Sequence, residues 1–338
     1  MSRNPRTVRD LRGRLPASIG APLAVLALAI AATPAAAAPT VQATVDGGAL
    51  HVSGSRSADQ IALRLSALDP NLLQVDVGDD GSADFTFDRS TFESIDVAAG
   101  NGADAVRIDE VNGVFATTEA TRIDGGNGDD RLIGGSGTQV FIGGRGNDFV
   151  DGNQGADTAF LDRGDDTFVW DQGDGSDVVE GGRGSDTMVF NGFGANEIMA
   201  ATASGGRVLF TRVQGNIVMD LDAVEAIDVR PLGGTDTVTV NDTTGTDLTR
   251  VDVDLAAAPG GSTGDGLADT VTVVGTTGGD TIAANASGGA VEVSGLAAFV
   301  RITHADPTAD TLVIDSLTGV DNVAVDPALA ALILVSVP

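Results

Sequence analysis

The sequence predicts an all-β solenoid, on three observations. A nine-residue unit recurs in tandem from Gly125 to Val189. Each unit places an apolar residue at its eighth position: Leu132, Phe141, Val150, Ala159, Phe168, Val179 and Met188. This column has the pattern of inward-facing strand residues. The composition argues against a helical protein: only seven of the 48 acidic residues are Glu, Lys is absent, and Gly fills 46 of 338 positions, whereas Asp and Gly prefer turns. Tandem self-similarity of this kind builds stacked folds in which each unit covers its neighbours.

The units run Gly125–Ile133, Gly134–Ile142, Gly143–Asp151 and Gly152–Phe160; a fifth opens at Leu161 and carries two extra residues, Trp170 and Asp171, and the last two open at Gln172 and Gly181. Six positions read as loop and three as strand. Glycine at positions 2 and 4 (Gly126, Gly128, Gly144, Gly146, Gly155, Gly164, Gly173, Gly175, Gly182, Gly184) permits tight turns at positive φ and inward-pointing carbonyls. Position 6 is Asp130, Asp148, Asp157, Asp166, Asp177 and Asp186, with Gln139 in the second unit.

These units resemble the RTX (haemolysin-type) calcium-binding repeat, G-G-x-G-x-D-x-U-x. The resemblance implies a right-handed parallel β-roll in which two nonapeptides form one coil. Asp130, Asp148, Asp166 and Asp186 then fall on one edge, and Gln139, Asp157 and Asp177 on the other. It also implies about four Ca2+ ions, each between two stacked loops and held by position-6 carboxylates and loop carbonyls: Asp130 with Asp148, Asp148 with Asp166, Asp166 with Asp186, and Asp157 with Asp177. Calcium takes about six to eight oxygens, and such a mixture suits it. The neutral amide of Gln139 makes its site weak or empty. Asp129, Asp165, Asp171 and Asp174 read equally as solvated loop residues or as further ligands.

The formal charge of −29 argues against nucleic acid or an anionic membrane as partner, since both require a positive footprint. Residues 1–37 read as a secretory signal peptide: Arg3, Arg6, Arg9, Arg12 and Arg14 precede an apolar run, Ala21 to Ala32, and a small-residue cleavage site after Ala37 or Ala38. The run is short for a membrane span, so the mature chain is expected to be secreted and extracellular, with surface attachment left open. Losing five Arg and one Asp takes the charge from −29 to −33. Exported domains commonly rely on disulfides; cysteine is absent here, and calcium can take that role.

Residues 38–124 read as a β segment capping the solenoid. Leu50 and Val52, then Ile61, Leu63 and Leu65, then Leu73, Val75 and Val77 alternate with mostly polar neighbours. The stretch from Asp76 to Gly81 suggests an EF-hand loop but has Gly78 at position 3 and Phe87 where the twelfth-position Glu is required, so it reads as a polar turn. Gly100 to Val106 is an isolated repeat-like loop, out of phase with the tandem at 125–192. Residues 193–338 read as a degenerate β-solenoid. Ala203–Val208 recurs as Ala286–Val291 and Glu93–Val97 as Glu225–Val229, which suggests stacked units with decayed loops. Asp236, Asp269 and Asp310 each lead a strand; their incomplete glycine framing favours turn or capping roles over metal ligation. The metal roles of Asp104 and Asp280 stay open. The run Ala328–Val337 reads as a closing strand or short helix.

Catalysis is not visible. His51 and His304 are far apart and read as surface strand residues, and neither H-E-x-x-H nor G-x-S-x-G occurs. The expected function is a secreted calcium-binding protein whose roll folds on binding Ca2+, structural or adhesive at the cell surface, with surface glycans or proteins as partners and no enzymatic activity. The alternative is a calcium-stabilised polysaccharide lyase or hydrolase; one Trp and no Tyr give it little aromatic platform.

Overall fold

Residues 40–338 are described by a computed structural model and fall within one compact unit. The expected signal peptide lies outside the described residues. Within the tandem the chain alternates between two 14-stranded sheets. Ala120–Asn127, Gln139–Arg145, Thr158–Arg163 and Val178–Arg183 belong to the first; Arg131–Ile133, Phe149–Asp151, Thr167–Trp170 and Thr187–Asn191 belong to the second. Each strand pairs in parallel with the equivalent strand of the next coil, Phe141 opposite Ile123 and Ala159, Val150 opposite Leu132 and Phe168. Two nonapeptides therefore make one coil.

Successive strand residues face opposite sides, so the position-8 column points between the sheets. All seven of its members are fully buried. The extra Trp170 stacks on Phe190 with ring centroids 4.1 Å apart, and its indole N–H donates to the Gly175 carbonyl at 2.8 Å. The insertion thus adds an aromatic layer to the core, while the strands on either side keep their register.

The sheets pass positions 124/125 and 192/193 without a break. Towards the N-terminus, Ala49–Ser53 and Ser94–Asn101 extend the first sheet and Gln60–Leu65 and Ala105–Asp109 the second. Antiparallel strands at Gln42–Asp46, Leu72–Val77 and Phe85–Asp88 finish this end. The Asp76 segment is a polar turn: its carboxylate accepts from the Asp80 and Gly81 amides and pairs with Arg64 at 2.5 Å.

The C-terminal half differs from the sequence reading. The recurring segments at 203–208 and 286–291 are hairpin turns rather than stacked coils. They join Ile198–Ser204 to Arg207–Arg212 in the first sheet and Thr281–Ser287 to Ala290–Ser294 in the second. Gly205, Gly288 and Gly289 supply the positive φ that two-residue hairpin turns need. A third antiparallel strand, Ile217–Asp222 or Phe299–Thr303, then rejoins the parallel stack. The terminal run forms a short 3-10 turn, Pro327–Ala331, and an edge strand, Leu334–Ser336, with Leu329 and Ile333 fully buried.

Candidate metal centre

The coils are tied at their edges by a ladder from backbone amide to carboxylate. The Asp130 N–H donates to Asp148 Oδ1 at 2.8 Å, Asp148 to Asp166 at 2.7 Å, Asp166 to Asp186 at 2.9 Å and Asp186 to Glu225 Oε2 at 2.7 Å. On the other edge Gln139 donates to Asp157 Oδ1 at 2.6 Å and Asp157 to Asp177 at 2.8 Å. Parallel register fixes this repetition, because each loop enters its strand at the same height as the loop before.

One oxygen of each carboxylate is used by the ladder. The other, Oδ2 of Asp130, Asp148, Asp157, Asp166 and Asp186, is buried without a hydrogen-bond partner. Among the described residues no basic side chain pairs with any position-6 Asp of the tandem. A buried, unpaired carboxylate is costly and responds by holding its proton. Burial pushes Asp157 up to about 8 and Asp148 and Asp166 up to about 7, with neighbouring carboxylates adding to the rise. Burial also lifts Asp130, Asp177 and Asp186 to about 6.

Carbonyl oxygens line the same loops. Gly143 lies between Asp148 Oδ2 and the Leu161 carbonyl; a β-carbon there would stand 2.6 Å from the first and 2.7 Å from the second. Gly125, Gly134 and Gly152 likewise face the position-6 oxygen of their own unit. These position-1 glycines, the first G of G-G-x-G, leave the space beside the position-6 oxygen that a β-carbon would fill. Gly146 illustrates position 4: at φ 119° its α-carbon packs against the Gly128 carbonyl of the preceding coil, and a β-carbon would collide with it. Gly146→Ala is expected to cost at least about 1–3 kcal/mol from backbone strain alone, measured as a lowered melting temperature at saturating calcium.

Position 2 tolerates more than glycine. Asn153 and Asp162 occupy it at φ 56° and 72°, as residues with short polar side chains can. Gln139 behaves as its chemistry dictates: Oε1 accepts the Gly135 N–H at 3.0 Å, and Nε2, a donor, is buried without a partner. Asp129 and Asp165 lie outside this ladder, accepting from Asn147 and Ser185 in exposed loops. Asp174 is buried, accepts the Asp171 N–H at 2.5 Å and is pushed up to about 7.

One expectation is corrected here. The Gly100–Val106 loop is in phase: Gly100 and Asn101 pair with Gly126 and Asn127, and the Asp104 N–H donates to Asp130 Oδ1 at 2.7 Å. The offset of 26 residues arises because the preceding connection on the opposite edge, between Asp109 and Ala120, is longer. Asp236, Asp269 and Asp310 likewise form a ladder of the tandem's kind: Glu197 donates to Asp236 at 2.7 Å, Asp236 to Asp269 at 2.8 Å and Asp269 to Asp310 at 2.9 Å.

The tandem's donor set is oxygen, with a position-6 carboxylate in every loop except that of Gln139, among backbone carbonyls. That chemistry fits calcium, whose large and flexible shell accepts such ligands, and does not fit zinc, which prefers nitrogen and sulfur. Among the described residues no three His, Cys, Asp or Glu side chains gather into a metal-binding group, so carbonyls must supply much of the shell.

Comparison with known proteins finds the family model for the RTX calcium-binding nonapeptide repeat, in four copies, at residues 122–138, 133–168 and 173–193. No curated protein matches the chain. Among solved structures, the extracellular lipase LipA from Serratia marcescens is similar at 14% identity and a TM-score of 0.20, with 65% of this chain and 43% of the lipase covered. The chain thus spans less than half the length of that lipase.

Proposed function

Because residues 122–193 carry RTX calcium-binding nonapeptide repeats, we propose that this chain is a secreted structural or adhesive protein whose roll sets when calcium fills the loops of the tandem. The observation that carries this reading is the buried, unpartnered Oδ2 repeated at Asp130, Asp148, Asp157, Asp166 and Asp186. Ions would lie between Asp130 and Asp148, Asp148 and Asp166, Asp166 and Asp186, and Asp157 and Asp177, with carbonyls of the glycine-framed loops completing each shell. A calcium-rich exterior supplies the ion, and the reading assigns no turnover to the protein.

The partner class follows from an unusual row of charge. Arg145, Arg163 and Arg183 stand opposite one another in register on successive strands, about 4.8 Å apart. All three are exposed and none makes an ion pair among the described residues. In a chain of net charge −29, three adjacent free guanidiniums suit a linear polyanion. A uronic-acid glycan matches them, since guanidinium binds carboxylate in bidentate geometry.

The test joins calorimetric calcium titration with binding to a polyuronate. Asp148→Ala with Asp166→Ala is expected to lower ion stoichiometry, and the triple Arg145→Ala, Arg163→Ala, Arg183→Ala to keep the ions while losing glycan affinity at least tenfold. Unchanged stoichiometry in the Asp variant would sink the calcium reading. Depolymerisation of the polyuronate would overturn the non-catalytic part.

A further inference from the structure

We propose that the loops ending at Asp236 and Asp269 form a further divalent-cation site, outside the matched repeats, that takes calcium by its donor set. The loop Pro231–Asp236 has the frame of a tandem loop with different residues. Leu232 stands where Gly126 stands and takes φ 72°; Gly234 stands where Gly128 stands and takes φ 150°. Two residues past Asp236, Val238 points into the core as the position-8 residues do, 1% exposed. A leucine in the left-handed region is strained, and here it gives the loop the backbone turn that glycine gives elsewhere.

Asp236 is 1% exposed and its Oδ2 is buried without a partner, the signature found on the tandem carboxylates. Further carboxylates come from the two following loops. Asp265 Oδ2 accepts the Gly234 N–H at 2.8 Å, Asp306 Oδ2 accepts the Gly266 N–H at 2.7 Å, and Asp310 Oδ2 accepts the Asp306 N–H at 2.7 Å. Five aspartates, 236, 265, 269, 306 and 310, therefore occupy three consecutive loops, and none pairs with a basic side chain among the described residues.

The head of the same ladder shows the contrast. Glu197 is paired with the Arg212 guanidinium, which also lies over the Trp170 ring. The protein neutralises that first rung with its own cation; the next three have none. A hard divalent ion between loops 231–236 and 264–269, at the unpartnered Oδ2 of Asp236, would supply the missing charge through carboxylate and carbonyl oxygens. The proposal does not depend on the tandem's ions.

The experiment counts calcium bound to the full chain after equilibrium dialysis. Asp236→Asn with Asp269→Asn is expected to lose one ion and to keep those of the tandem, and adding Asp148→Ala with Asp166→Ala should subtract further ions independently. A folded double-Asn variant with an unchanged count would overturn the proposal. Should that variant fail to fold, crystals of the unsubstituted chain with terbium in place of calcium decide: anomalous density between loops 231–236 and 264–269 supports the site, and density confined to the tandem overturns it. Ions in the tandem alone refute this inference only, whereas ions at neither place refute the proposed function as well.

Discussion

In chelator at neutral pH the chain is expected to lose most of its β signal, and to regain it when calcium is added. Six position-6 aspartates of the tandem stand in the edge ladders with no basic partner among the described residues, and five of them keep an unpartnered buried oxygen. Without an ion these carboxylates oppose the packing that the position-8 column favours. One bound ion at a hundredfold above its Kd contributes about 2.7 kcal/mol; four such ions would supply about 11 kcal/mol, comparable with the roughly 5–15 kcal/mol that holds a whole domain together. Circular dichroism and calorimetry across a calcium titration read both the transition and the stoichiometry. A chain fully ordered in chelator would remove this account.

Protons are expected to substitute for calcium. An aspartate near 3.8 in the unfolded chain is raised to about 7 at Asp148 and Asp166 and about 8 at Asp157 in the fold. The calcium-free fold therefore binds more protons than the unfolded chain. Its stability is greatest below about pH 4 and is lost as pH rises through 7 to 8. Each unit of raised pKa corresponds to about 1.4 kcal/mol, so a few such groups can shift the balance for the whole roll. Calcium needs the deprotonated carboxylates, so binding releases protons and affinity falls as the pH drops below about 7. In chelator the chain should be more ordered at pH 5 than at pH 8, and titrations in buffers of different ionisation enthalpy should report proton release. A calcium-free chain that gains stability from pH 5 to pH 8 would falsify this linkage.

The sequence alone determined the all-β class and the buried column from Leu132 to Met188, while the pairing of nonapeptides into coils and the assignment of tandem aspartates to two edges came from the resemblance to the RTX repeat. The column is the property of a short period, broken once by Trp170 and Asp171, in which every ninth residue meets the same environment. The sequence did not determine which distant loops join the ladders. Asp104 and Asp130 are 26 residues apart, and the steps from Glu197 through Asp236 and Asp269 to Asp310 are 39, 33 and 41 residues; these lengths include long connections and hairpins that leave no trace in the period. Nor could alternation distinguish the hairpins at Gly205 and Gly288 from coils, since parallel and antiparallel strands bury the same side of the pleat. Only strand register, set by hydrogen bonds between segments remote in sequence, brings Asp236 to the same height in its coil as Asp148 has in its own, and lets Leu232 do the work of a glycine.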